Sequence, residues 1–115
     1  MYRFSYAEVV EDSAEECRRR ERDVFRRAIG LLKAADGSAH NSPEMLNAIV
    51  FVQRLWNFLI SDLSNPDNGL PEGLKKQLIS VGLWVMRESD TIVRGEANSV
   101  TALIDVNTMI MDGLK

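Results

Sequence analysis

Cysteine is almost missing: Cys17 stands alone among 115 residues, so no disulfide can form within the chain. A lone thiol excludes a disulfide-stapled scaffold and fits a reducing compartment. Histidine is as scarce. His40 is the single one, it falls in an expected loop, and nothing near it stands at metal-ligand spacing. The longest apolar run, Ala48 to Val52, falls far short of the ~20 residues that cross a bilayer. The start, Met1 to Tyr6, lacks the basic region and apolar stretch of a secretory leader. These absences lead us to expect a cytoplasmic protein with no membrane partner. Neither charge sign dominates: 14 basic and 17 acidic residues leave a net charge of -3. That balance gives no global attraction to nucleic acid or anionic lipid. Strand signals are lacking, since nothing alternates for more than a few residues. No Gly-rich phosphate loop and no nucleophile motif occurs, and Asp62, Asp67, Glu72 and Asp105 show no acid–base arrangement. We therefore expect no enzyme, no metal and no cofactor.

What the chain does have is helical periodicity. A hydrophobic share of 45% and a charged share of 27% predict one globular domain over residues 1–115. The first helix has two candidate starts, since Ser5-x-x-Glu8 and Ser13-x-x-Glu16 both fit a capping box. Ala14, Cys17, Glu21, Val24, Ala28, Leu31 and Ala35 then follow a seven-residue spacing, a narrow stripe that would half-bury Cys17. Gly37 is expected to end this helix in the left-handed conformation. Ser42 reads as an N-cap with Pro43 at the first helical position. The helix from Pro43 to Leu63 is apolar nearly all round, leaving a thin strip of Asn47, Arg54, Asn57 and Ser61. Such a helix is central in a bundle or covered by a partner. Asn65-Pro66-Asp67-Asn68-Gly69-Leu70-Pro71 breaks the chain, with Asp67 or Asn68 expected as a capping group. A third helix from about Pro71 to Val93 has Leu74, Leu78, Val81, Val85 and Ile92 as its inner face. Gly82 lies beside that face and is expected to admit another helix closely. A fourth starts near Glu96 to Ser99 and ends at Gly113. The fold class is all-α: a small single-domain bundle of about four antiparallel helices behind an apolar N-terminal segment.

Large apolar residues are usually inside, so Trp56, Trp84, Phe51 and Phe58 are expected to be core. Asn107 suits a buried register-setting position or the surface equally. Arg18, Arg19, Arg20 and Arg22 could contact RNA. Yet Glu15–Arg19 and Glu16–Arg20 have the favourable i,i+4 order, so a solvated, internally paired face is the better reading.

Several segments together resemble the flagellar FlaF family of α-proteobacteria. They are Tyr2-Arg3-Phe4-Ser5-Tyr6-Ala7-Glu8, Asn47, Leu55-Trp56, Asp62-Leu63, Asn68-x-Leu70-Pro71, Leu78-Ile79-Ser80-Val81-Gly82, Leu103-Ile104-Asp105-Val106-Asn107 and Gly113-Leu114. The resemblance covers almost the whole chain. It implies a cytoplasmic protein needed for flagellin production or export, acting beside the regulator FlbT, with flagellin as its partner and no catalytic role. The alternative is a post-transcriptional regulator touching flagellin mRNA through the arginines above. A flagellin terminus is amphipathic and helical, which suits the excess apolar surface of the second helix. Phe51, Leu55, Phe58 and Leu59 lie on one side of that helix and are the candidate groove. Tyr2, Phe4 and Tyr6 are the candidate segment that covers it in the free protein.

Overall fold

The computed structural model describes the backbone of residues 6–97 and 99–113, and side chains from residue 15 onward within those ranges. Four helices form: α1 (Tyr6–Ala35), α2 (Pro43–Leu63), α3 (Glu72–Val93) and α4 (Thr101–Asp112). No strand occurs among the described residues.

Local chemistry sets the ends. α1 begins at the earlier of its two candidate starts and runs unbroken through Ser13. It stops where Gly37 adopts φ 87 and the Ser38 N–H donates to the Ala35 carbonyl at 2.9 Å. Ser42 caps α2 as expected, its Oγ accepting from the Met45 N–H at 3.2 Å. In the break, the Asn65 side chain accepts from the Asp67 N–H at 2.9 Å and that of Asn68 from the Leu70 N–H at 3.0 Å. The turn groups are thus the two asparagines. Pro71 is the N-cap of α3, so that helix starts one residue later than its proline suggested. α4 also starts late, because the Ser99 Oγ accepts from the Thr101 N–H at 3.0 Å and holds a turn ahead of it.

The C-terminal half of α1 packs against both α2 and α4, and α2 packs against α3. α3 and α4 barely meet, which leaves that side of the bundle open. The core gathers Phe25, Ala28, Leu32, Ala35, Ala48, Ile49, Val52, Trp56, Val85, Ile92 and Leu103. Its centre is Trp56. The Phe25 ring meets it edge-on, with centroids 6.0 Å apart and planes at 81°. Its indole Nε1–H donates to Asn107 Oδ1 at 2.8 Å, and Asn107 Nδ2 donates back to the Leu103 carbonyl at 2.7 Å. Asn107 is therefore buried, with both ends of its amide used. Gly82 lets α3 approach closely. A Cβ there would lie 2.9 Å from Ile60 Cδ1 and 3.0 Å from the Trp56 ring.

The packing corrects four expectations. The buried face of α1 is Phe25, Ala28, Ile29, Leu32 and Ala35, while Val24 and Cys17 are exposed. The seven-residue stripe traced mostly small residues, and the large Phe25, Ile29 and Leu32 turned the helix toward themselves. Leu74 is exposed and Leu78 and Val81 are half-buried, because α4 does not close over α3. Trp84 is only half-buried at the edge of the core for the same reason. Phe58, expected inside, is 68% exposed, since the trough it lines between α1 and α2 is left open.

Candidate functional site

Antiparallel packing of α1 on α2 leaves a shallow trough between them. Phe51, Leu55, Phe58 and Leu59 all line it, together with Val24 and Phe25 of α1. The structure thus brings together the four residues that helical spacing selected, in a groove of ≈ 480 Å³. Phe51, Leu55 and Leu59 are half-buried and lean on the core, whereas Phe58 and Val24 are exposed. Rigid backing with exposed apolar tips suits a binding surface. The Arg27 guanidinium lies over the Phe51 ring, 5.5 Å from its centroid.

The groove continues round the end of the bundle. Phe25 and Leu59 also line an adjoining apolar pocket of ≈ 380 Å³, whose far wall holds Leu74, Leu78, Met109 and Ile110. Met109, 72% exposed, and Ile110 then border a third depression with Val81 and Trp84. The spacing of α2 alone could not show this extension, which arises from the gap between α3 and α4.

Where groove and pocket meet, Glu21 of α1 and Asp62 of α2 stand on the rim. Partial burial raises the Glu21 carboxyl above its usual range, and the Asp62 charge raises it further, against a lowering by Arg18. The residue as a whole stays exposed. Asp62 is steadied by Asn68, whose Nδ2 donates to Oδ2 at 3.3 Å. Glu21 read as an interruption of the α1 stripe, and its proximity to Asp62 had no signal in either helix by itself.

The arginine set divides. Arg18, Arg19 and Arg20 are exposed, and Arg20 pairs with Glu16 at 3.4 Å as the i,i+4 order predicts. Arg22 is half-buried and engaged. Tyr2 and Phe4 lie outside the described residues, as does the side chain of Tyr6, whose backbone opens α1. A helix rises 1.5 Å per residue, so Tyr6 stands about 22 Å along α1 from Glu21. Five extended residues reach about 17 Å, so a cover from this segment requires the first turns of α1 to unwind. His40 is an exposed loop residue, as expected, and its ring lies against Gly95, where a Cβ would meet Cε1 at 3.0 Å. Among the described residues no group of three His, Cys, Asp or Glu could hold a metal. No described helix is long and apolar enough to cross a membrane.

The described residues define a small all-α bundle with an apolar groove between α1 and α2. The chain is a member of the FlaF family: the family model described as flagellar protein FlaF matches residues 2–114. It is therefore a flagellum-related protein. No curated protein and no solved structure matches it.

Proposed function

We propose that this protein binds unpolymerised flagellin as a cytoplasmic export chaperone and so supports flagellin synthesis and secretion. One observation carries the reading: the groove between α1 and α2 keeps Phe58 68% exposed beside the core-backed Phe51, Leu55 and Leu59. An exposed apolar trough on a small protein suits an amphipathic helix laid into it. Family membership supports flagellin as the source of that helix. A second regulator such as FlbT would act beside the complex.

Calorimetric titration with monomeric flagellin tests this. The parent is expected to bind, and Phe58→Asp, at an exposed position, is expected to fold normally and bind at least tenfold more weakly, since a central aromatic anchor is worth about 2 kcal/mol or more. Equal binding by parent and variant would remove the groove from the reading. Parallel titration with flagellin leader RNA addresses the arginine alternative. RNA binding that is abolished in an Arg18, Arg19, Arg20 and Arg22 neutralised variant would replace the chaperone reading with a post-transcriptional one.

A further inference from the structure

We propose that the groove is dipolar. It accepts an amphipathic polypeptide helix whose apolar stripe covers Phe51, Leu55, Phe58 and Leu59, with a Lys or Arg of that helix at Glu21 and Asp62 and a carboxylate at Arg27 and Arg54. This rests on reading the groove as the docking site of a client helix, and adds what the client must carry.

The groove's two ends differ in charge. At the Phe51 end stand Arg27, over the aromatic ring, and Arg54, on the groove wall. Among the described residues, neither arginine is in an ion pair. The neighbouring Arg26 takes Asp23 at 2.6 Å, so that carboxylate is already matched. At the Leu59 end stand Glu21 and Asp62. Arg20 lines the groove at this end too but is engaged with Glu16 at 3.4 Å, and Arg18 also acts on Glu21. Phe51 to Leu59 spans about 12 Å of helix, a little over two turns. The carboxylate pair Glu21 and Asp62 and the unpaired Arg27 and Arg54 are therefore held within reach of a single docked helix. An apolar stripe alone would slide in such a trough. Opposed charges at its ends fix register, because a slipped helix meets like charge. The partial desolvation of Glu21 points the same way: a carboxylate held beside another and against an apolar wall gains most from an incoming cation.

The test uses the full chain and three synthetic helices of about 18 residues, five turns, that share one leucine stripe. The first carries Glu at one end and Lys at the other, the second Glu at both ends, the third Lys at both ends. The parent is expected to bind the mixed helix roughly three- to tenfold more tightly than either of the others, as two exposed ion pairs allow. High salt should erase the preference. Glu21→Lys with Asp62→Lys should switch the preference to the double-Glu helix, and Arg27→Glu with Arg54→Glu to the double-Lys helix. All four side chains are exposed, so far-UV spectra should match the parent and both double variants should melt cooperatively; should either double variant fail to fold, Glu21→Gln and Arg54→Gln serve, each reducing the preference. Equal binding of the three helices overturns the proposal, and so does failure of all three to bind. Monomeric flagellin separates the two readings. If it binds the parent and both charge-reversed variants equally, the charge order is overturned and the client assignment stands. If flagellin fails to bind while the helices are discriminated, the client assignment falls and the dipolar groove stands.

Discussion

Trp56 joins three of the family-pattern segments in space. Gly82 makes room beside its ring, and Asn107 accepts its indole proton from the far side of the core. Trp56→Ala should cost about 3–5 kcal/mol in chemical denaturation. Asn107→Ala should cost about 1–3 kcal/mol, because the indole N–H is left buried without an acceptor. Trp84, half-buried at the open side, should cost roughly half as much as Trp56 when truncated. Glu21 contributes in the opposite sense. Its folded value lies above the ordinary 4.5, so the folded chain holds that proton more tightly than the unfolded chain does. Stability from this group is fully present below the ordinary glutamate value and lost as pH rises through the raised one. Glu21→Gln should therefore melt above the parent at about pH 7, and thermal melts should converge as pH falls toward the ordinary glutamate value.

Among the elements, the α2–α3 connection was the most legible in sequence. Pro66, Gly69, Pro71 and the asparagines act on their own backbone, so their chemistry needs no partner helix to be read. The all-round apolarity of α2 was legible too, and it located the groove. The buried face of α1 was legible only in part. Ala28 and Ala35 of the seven-residue spacing are buried, but that spacing passed over the larger Phe25, Ile29 and Leu32, whose area fixes the face. Nor could the pairing of Trp56 with Asn107 be read, since it crosses the bundle between helices distant in sequence. Gly82 in α3 gives a test at this scale. Alanine there gains about 1 kcal/mol of helix propensity, but its Cβ would press on Ile60 and the pinned Trp56 ring. Overpacking of that kind costs about 1–3 kcal/mol, so Gly82→Ala should be destabilising on balance, and Ile60→Ala in the same chain should recover part of the loss. α1 offers another. If the N-terminal segment covers the groove, the helix must restart at Ser13-x-x-Glu16, freeing the residues before it. Deleting Met1 to Ser5 should then raise hydrophobic-dye binding, and an unchanged dye signal would leave α1 intact from Tyr6 and the groove permanently open.

At the scale of the molecule, the two most exposed large apolar side chains, Phe58 and Met109, share one end of the bundle. Val24, Phe58, Leu74 and Met109 lie toward the end where α2 hands over to α3, while Leu46, Val50 and Leu83 are exposed elsewhere and the opposite end holds a cleft lined by His40, Met45, Ile92 and Gly95. An apolar pocket and the weak seam between α3 and α4 thus coincide. The same seam has a consequence for how the chain reaches its final state. Because α4 leans chiefly on α1, closing the bundle means joining the first helix to the last, the longest loop the topology contains. A helical hairpin of α2 and α3, by contrast, can assemble from neighbours in the chain. We expect α4 to dock after the rate-limiting barrier: Leu103→Ala should accelerate unfolding several-fold and leave the refolding rate nearly unchanged, whereas Val52→Ala should slow refolding. Stopped-flow fluorescence of a Trp84→Phe background reports this directly, since Trp56 then glows alone, and its proton finds Asn107 only once the last helix has arrived.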